Sequence, residues 1–160
     1  MKNFIFILLS LIMSISTIGF NKLQEEVVVE EYILVEEPCI DLLVGIEGNI
    51  YTFTKVCSLN IKNIWGTKLA AIQQTTNWSW DSVGYRVKIN WATQTCTSLK
   101  VGFSCKKGNN NFSTLPTGWS TTYRLAWSEY LLGPKGFEFD RKRIETRAYY
   151  TGGATCKFIS

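Results

Sequence analysis

The 160-residue chain contains no histidine. Histidine is the commonest general base in enzymes and the usual partner of a serine or cysteine nucleophile, so a conventional catalytic triad is excluded. No two cysteines are spaced as CxxC, which removes the usual zinc-binding patterns as well. Glycine-rich phosphate-binding motifs and calcium-binding loops are also absent from the sequence. We therefore expect no metal site, no cofactor and no catalytic residue.

Acidic residues are scarce in the second part of the chain, where residues 49–160 contain only five. A glycosidase needs two carboxylates, and Glu138 and Asp140 would share one face of a strand. The adjacent Arg141, Lys142 and Arg143 are more simply interpreted as their partners in surface ion pairs. We therefore predict that the protein is not an enzyme.

Long apolar runs occur only at the start of the chain. Lys2 is followed by an apolar stretch from Phe4 to about Ile15, and small residues come before and at Gly19. This pattern is typical of a secretory signal peptide, and the stretch is shorter than the roughly 20 residues that a membrane span needs. The sequence predicts a signal peptide at residues 1–19 and a secreted, extracellular protein.

Charge is divided unevenly along the rest of the chain. Residues 21–48 contain one lysine and eight acids, whereas residues 49–160 contain 15 lysines and arginines and five acids. One interpretation is that the acidic segment at residues 20–48 is a detachable pro-segment that shields the basic domain at residues 49–160. The alternative is that its β-branched run is an ordinary first strand.

The five cysteines are consistent with either interpretation. They are Cys39, Cys57, Cys96, Cys105 and Cys156. An odd number in a secreted protein predicts a free thiol or an intermolecular bridge, and cleavage between Cys39 and Cys57 would leave an even set. In the alternative, Cys39 pairs with Cys57. Cys96 and Cys105 are close enough in sequence to close a small local loop. Disulfides are the default for such cysteines in an oxidising compartment.

Short runs with a period of two dominate the chain from residue 50 onward. They are bounded by turn residues, and "WDSVGY" predicts a turn between strands at residues 69–80 and 85–94. No stretch has helical periodicity with caps. We predict seven to nine strands in a single, disulfide-stabilised, antiparallel β-sandwich, immunoglobulin-like or jelly-roll-like, with a closed barrel as the alternative.

The alternation also predicts which side chains face the core. It assigns to the core Trp91 with Tyr85, Val87 and Ile89, the set Leu99, Val101, Phe103 and Cys105, and the set Tyr123, Leu125 and Trp127.

Three further tryptophans are candidates for ligand binding. Trp78 and Trp80 share one face at the end of the predicted hairpin, where they could stack on sugar rings or enter a membrane interface. Alternatively, they could cap the end of the sandwich core. Trp119 follows the polar loop "STLPTG" and is a third candidate surface ring.

The stretch "DRKRIETR" would place Arg141, Arg143 and Arg147 on one face of a strand. Guanidinium groups in a row can hold phosphate, sulfate or carboxylate groups. The candidate partners are an anionic glycan, a polymer of the cell envelope, or a membrane surface. Nucleic acid is not an expected partner, because a secreted protein does not usually meet nucleic acid. The alternative is an ordinary solvated face.

These features favour a secreted, non-enzymatic β-sandwich that binds an extracellular partner through aromatic and cationic surface residues. A second hypothesis is a toxin or antimicrobial effector that its acidic pro-segment masks. A third is a structural surface or matrix protein without a small ligand.

Overall fold

The computed structural model of the protein describes residues 31–137 and 140–160. The predicted signal peptide, the first part of the acidic segment and Glu138 lie outside these residues. The described residues form nine strands: β1 (Tyr32–Glu36), β2 (Ile40–Glu47), β3 (Ile50–Asn63), β4 (Lys68–Asp81), β5 (Arg86–Ser98), β6 (Phe103–Asn110), β7 (Tyr123–Pro134), β8 (Asp140–Tyr149) and β9 (Ala154–Ile159). A short 3₁₀ turn covers Phe112–Thr114. No helix in the described ranges is long and apolar enough to cross a membrane.

The strands form two antiparallel sheets. Sheet A has the order β3-β4-β5, with β1 and β2 both paired to the outer edge of β3. Sheet B has the order β6-β7-β8-β9. The all-β class, the antiparallel pairing and the two-sheet sandwich are therefore confirmed. Apart from β1, which pairs with β3, the paired strands of each sheet are consecutive in the chain, whereas immunoglobulin-like and jelly-roll sandwiches contain Greek-key crossovers.

The predicted hairpin is present, and the side chain of Asp81 closes its turn. One carboxylate oxygen accepts hydrogen bonds from the backbone N–H groups of Val83 (3.1 Å) and Gly84 (2.9 Å). The other lies 2.6 Å from Nη2 of Arg86. A Cβ atom at Gly84 would lie 2.5 Å from this carboxylate, so a larger residue there would displace the carboxylate from its position in the turn. The hydrogen bond from Gly84 and the pairing with Arg86 lower the pKa of the Asp81 carboxyl.

The core between the sheets has two apolar clusters. The first contains Cys57, Leu59, Ile61, Leu69, Ala70, Ile72, Phe103, Tyr130, Leu132 and Ile144. The second contains Trp78, Val87, Ile89, Ala92, Ala126 and Ala148. Both clusters draw side chains from both sheets, which buries one face of each sheet against the other.

The core also contains polar side chains, which belong to both sheets. Gln74, Thr76, Ser128 and Thr146 are fully buried. The hydroxyl of Ser128 donates to the phenol oxygen of Tyr130 (3.1 Å), which donates to the backbone carbonyl of Gln73 (2.6 Å). Burial raises the pKa of the Tyr130 phenol and so keeps the group protonated as a donor. These hydrogen bonds connect sheet B to sheet A, because Gln73 lies in β4 and Tyr130 in β7.

The core position predicted for Trp91 is wrong, because its side chain is 46% exposed. The pairing of β4 with β5 shifts between Asn77 and Trp78, so Asn90 is an extra residue opposite β4. A β-bulge of this kind moves every later side chain to the other face. Val87 and Ile89 face the core before the bulge and Ala92 faces it afterwards, which places Trp91 outside. Tyr85, in the turn before the strand, is also exposed.

The prediction for the first half of β7 is also wrong. Tyr123 is exposed, whereas Ala126 and Ser128 are fully buried. The bulky Trp78 side chain of sheet A lies in the same core cluster as Ala126, so small residues are needed at the inner positions of β7. The large side chains of β7 therefore lie on its outer face.

The strand predicted around "LKVGFSCK" begins later than expected. Leu99 and Val101 are exposed, and residues 99–102 form a turn in which Gly102 has a φ of 88°. Within the set predicted to be core, Phe103 is buried and Cys105 is partly buried.

Two disulfides join the sheets at opposite edges. Cys57 of β3 is bonded to Cys156 of β9, and Cys96 of β5 to Cys105 of β6. The small loop considered for the second pair is therefore present, whereas Cys57 does not pair with Cys39, which is free. The two bridges indicate an oxidising compartment.

The described part of the acidic segment forms the edge of sheet A. Its two strands pair with successive parts of β3, and Pro38 lies in the break between them. Every residue of β2 is exposed. Acidic side chains of this edge contact polar groups of β3 and β4. Asp41 lies 2.7 Å from Nζ of Lys55, and Glu37 accepts a hydrogen bond from Asn60 and lies 3.9 Å from Nζ of Lys68.

Candidate functional site

Two of the three candidate tryptophans belong to the sandwich interior or its end. Trp78 is 2% exposed and stacks on Phe53, with ring centres 4.6 Å apart. Trp80 is partly buried, and its indole N–H donates to the backbone carbonyl of Tyr150 (2.7 Å). Gly152 lies directly against the Trp80 ring. The pair therefore caps the core and does not form an exposed platform.

Trp119 is partly buried and is covered by cations of β5. The guanidinium carbon of Arg86 lies 5.4 Å from its ring centre, and Nζ of Lys88 lies 5.0 Å from it. These contacts are within the range of cation–π interactions. They place Trp119 beside β5 of sheet A, whereas the predicted arginine row lies on β8 of sheet B. The structure therefore does not bring Trp119 and the arginine row into one site.

The predicted alternation along β8 is present. Ile144, Thr146 and Ala148 are fully buried, and the arginines alternate with them on the outside of sheet B. We call the outward side chains of β7, β8 and β9 the arginine face: Tyr123, Leu125, Trp127, Glu129, Leu131, Arg141, Arg143, Glu145, Arg147, Tyr149, Thr155, Lys157 and Ile159. This face brings together the three predicted arginines with aromatic residues that the sequence pattern assigned to the core.

Two arginines of this face lie over aromatic rings of β7. The guanidinium carbon of Arg143 is 4.2 Å from the ring centre of Trp127, and that of Arg147 is 4.7 Å from the ring centre of Tyr123. Strand pairing explains the contacts, because Trp127 lies opposite Glu145 and Tyr123 opposite Tyr149. Each arginine thus reaches the ring diagonally across the sheet. Large apolar rings on an outer face are in this way partly covered by cations.

The acids of the arginine face are held by two of its arginines. Glu145 lies 3.1 Å from Nη2 of Arg143, and Glu129 lies 3.9 Å from Nη1 of Arg141. Arg143 is the more enclosed of the two arginines, and its Nε atom is buried without a hydrogen-bond partner among the described residues. Within the described part of the chain, neither Arg147 nor Lys157 forms an ion pair.

An open depression lies at the β9 side of the arginine face. It has a volume of about 180 Å³ and is lined by Glu145, Arg147, Tyr149, Thr155 and Lys157. Tyr149 and Thr155 place their hydroxyl oxygens 3.4 Å apart at its wall. Tyr123 continues the aromatic surface from Tyr149, with ring centres 6.4 Å apart. The depression therefore combines two cations that have no ion-pair partner among the described residues, the Glu145 carboxylate, two hydroxyl groups and the edge of an aromatic pair.

Sequence reasoning missed four residues of this depression and its rim: Tyr123, Tyr149, Thr155 and Lys157. The alternation in the sequence predicts a core position for Tyr123. The others come from the end of β8 and from β9, and the strand pairing that sets them beside Arg147 is not visible in the sequence. The sequence did indicate that the arginines of β8 point outward. Residues directly opposite them on any strand paired with β8 therefore also point outward.

The carboxylate pair considered for catalysis stays untested, because Glu138 lies outside the described residues. Asp140 accepts a hydrogen bond from the phenol of Tyr32, and its carboxylate lies 3.1 Å from Nζ of Lys142. The hydrogen bond from Tyr32 joins the edge strand β1 to sheet B.

The arrangement of the arginine face can recognise anions and sugar rings by non-covalent contacts. Guanidinium and ammonium groups hold carboxylate or sulfate, hydroxyl groups exchange hydrogen bonds, and aromatic rings pack on the apolar faces of sugars. Comparisons of the chain with protein-family models, with curated proteins and with solved structures gave no match.

Proposed function

We propose that the protein is an exported, non-enzymatic β-sandwich that binds an anionic glycan at the depression on its arginine face. The observation that carries this proposal is the pairing pattern of the charges. Glu145 forms an ion pair with Arg143. Arg147 and Lys157 therefore line the depression without an acidic partner among the described residues. The local excess of positive charge attracts an anion, and the adjacent rings and hydroxyls favour a sugar over a simple ion.

The size of the depression limits what it can hold. Its volume of about 180 Å³ lies below the roughly 300–1,000 Å³ of pockets that enclose a drug-sized ligand. One sugar ring with its anionic substituent is therefore a suitable occupant, and the rest of a polymer would run across the open face. Arg141, which is 64% exposed, offers a further cation along that path.

Direct binding measurements test this proposal. We would measure the affinity of the protein for a carboxylated polysaccharide, a sulfated polysaccharide, neutral dextran and vesicles rich in anionic lipid. Arg147→Ala and Lys157→Ala should each weaken binding to an anionic polysaccharide by about tenfold, which corresponds to about 1.4 kcal/mol. Neutral dextran should not bind.

A charge-matched control separates local recognition from the general field of a basic protein. Lys68→Ala removes one exposed lysine from β4 of sheet A, and we expect its affinity to stay within about twofold of the wild type. Equal weakening by Lys68→Ala and Arg147→Ala would argue against the site. Binding to anionic vesicles without binding to either polysaccharide would replace the glycan with a membrane surface.

Export rests on the sequence pattern at residues 1–19 and is supported by the oxidised cysteines. The N-terminal residue of the mature protein tests it. Phe20 is the expected first residue. A mature protein that still begins at Met1 would contradict export by a cleaved signal peptide.

The masked toxin or antimicrobial effector is the second candidate, and the edge contacts of the acidic segment favour it. Asp41 pairs with Lys55 and Glu37 lies near Lys68, so described acids of the segment contact cations of the basic domain. Intact mass and N-terminal sequencing distinguish the candidates. A mature chain beginning near residue 49, with leakage of anionic vesicles only after cleavage, would support the effector. A mature chain that retains residues 20–48 would exclude it.

A further inference from the structure

Three cysteines from three separate parts of the chain meet at one edge of the sandwich. Cys39 lies between β1 and β2, Cys57 in β3 and Cys156 in β9, and their sulfur atoms all lie within 4.8 Å of one another. Cys57 and Cys156 form a disulfide, whereas Cys39 is a free thiol. A thiol beside a disulfide is the arrangement that thiol–disulfide exchange requires.

The surroundings of Cys39 control how readily its thiol ionises. Burial raises the pKa of the Cys39 thiol, and the nearby Lys55 of β3 opposes this effect. Asp41 of β2 and Glu36 of β1 raise the pKa further. At neutral pH the group is therefore held mostly as the thiol, which protects the bridge because the thiolate is the attacking form. Raising the pH removes this protection.

We propose that Cys39 is a built-in nucleophile that exchanges with the Cys57–Cys156 bridge and converts it to Cys39–Cys57. The Cys39 thiol loses its proton to solvent, and the resulting thiolate attacks Sγ of Cys57. A sulfur–sulfur bond forms between Cys39 and Cys57 while the bond between Cys57 and Cys156 breaks. Cys156 leaves as a thiolate and takes a proton from solvent. The number of disulfides is unchanged, so the step needs no oxidant or reductant.

The choice between the two sulfurs follows from their burial. Attack on Cys156 would release Cys57, which is fully buried, as an anion in the apolar core. Attack on Cys57 releases Cys156, which is partly exposed and belongs to the edge strand of sheet B. A solvated thiolate is the better leaving group, since burial disfavours the charged form. The direction of exchange is therefore set toward Cys39–Cys57.

Exchange would change which parts of the protein are cross-linked. The present bridge ties β3 to β9 and thus sheet A to sheet B. The exchanged bridge would tie the edge segment to β3 within sheet A and release β9. The bridge between Cys96 and Cys105 lies at the other edge and takes no part. The inference concerns the cross-links alone and does not depend on glycan binding.

Alkylation of the native protein tests the proposal. Protein prepared at low pH is incubated with a limiting amount of a thiol-alkylating reagent at about pH 6 and about pH 9, and peptides are then mapped without reduction. Direct alkylation labels Cys39 and leaves Cys57–Cys156 intact. Exchange before alkylation labels Cys156 and produces a Cys39–Cys57 peptide. The rate of this second product should rise about tenfold per pH unit below the pKa of the attacking thiol.

Cys39→Ser and Cys39→Ala are the matched controls, since each keeps both disulfides and lacks the attacking thiol. Neither variant should yield label at Cys156 under any condition that labels Cys156 in the wild type. Labelling of Cys156 in these variants would show that the bridge opens without Cys39 and would overturn the proposal. Exclusive labelling of Cys39 at both pH values would also overturn it. Label at Cys96 or Cys105 would indicate general scrambling and count against a specific exchange.

Discussion

The Nζ atom of Lys55 lies 2.7 Å from Oδ2 of Asp41, and Lys55 is one of the few charged side chains in the interior, with 5% of its surface exposed. The two residues lie directly opposite each other in the pairing of β2 with β3. A buried ammonium group needs such a partner, because an unpaired charge out of water is costly. The acidic edge segment thus stabilises a cation of the sandwich.

Replacing Asp41 therefore tests how the edge segment contributes to stability. We expect Asp41→Asn to lower the free energy of unfolding by about 1–2 kcal/mol, since Lys55 loses its counter-charge while Asp41 itself is half in solvent. Urea unfolding measures the change. Glu47→Gln, on the same exposed strand, is the control and should change stability by less than about 0.5 kcal/mol. In a Lys55→Met background, Asp41→Asn should have little effect, and a loss as large as in the wild type would contradict the assigned pairing.

The different positions of Trp78 and Trp91 lead to a second prediction. Trp78 is buried against Phe53, so Trp78→Ala should lower the free energy of unfolding by about 3–5 kcal/mol. Trp91 lies outside the core after the β-bulge, and Trp91→Ala should cost less than about 1 kcal/mol. Unfolding by urea measures both values. Similar losses for the two variants would mean that the bulge at Asn90 is misplaced.

Gly152 and Gly153 provide a matched pair for the packing of Trp80. Gly152 has a φ of 88°, and a Cβ atom there would lie 2.9 Å from the Trp80 ring. Gly152→Ala should therefore destabilise the protein by about 1–3 kcal/mol. A Cβ atom at Gly153 would meet nothing within 4 Å, so Gly153→Ala should be close to neutral. Thermal unfolding of the two variants makes the comparison, and equal melting temperatures would contradict the packing of Trp80 on this turn.

Asp81 predicts a dependence of stability on pH. Its carboxyl pKa is lower in the folded protein than its ordinary value of 3.8, so the folded state favours the ionised form. The stabilisation is present above this ordinary value and is lost as the pH falls through the lowered value. Asp81→Asn should therefore melt at a lower temperature than the wild type near pH 7, and the difference should shrink below about pH 4. A pH-independent difference for Asp81→Asn would be evidence against the turn geometry.

The alternation of side chains predicted much of the fold, and its failures have physical causes. Along β8 the pattern correctly separated Ile144 and Ala148 from the arginines, because no bulge interrupts the pairing of that strand. Along β5 it failed at Trp91, because one extra residue inverts every later position. A bulge depends on hydrogen bonds with the neighbouring strand, and these cannot be inferred from the strand's own residues.

The arginine face was only half predictable for a related reason. The sequence places three arginines on one side of β8, but it does not show which strands flank them. Tyr123 and Trp127 have the size and hydrophobicity of core residues. They lie outside because Trp78, from the opposite sheet, requires small partners at Ala126 and Ala148. Which residues fit in the core depends on the side-chain volumes of both sheets together. The sequence of one strand does not show which side chains the opposite sheet contributes.

The meander order of the strands has a consequence for how the chain folds. Within each sheet, nearly all pairings join segments that follow one another in the chain, so closing them restricts only short loops. Sheet A is completed by residue 98 and sheet B begins at residue 103. Each half can therefore organise its own hairpins before the two dock. A sandwich with Greek-key crossovers must bring together distant segments first, so we expect this chain to reach its native state faster than such a sandwich of equal length. The first half can also begin to pair while the second half is still being synthesised.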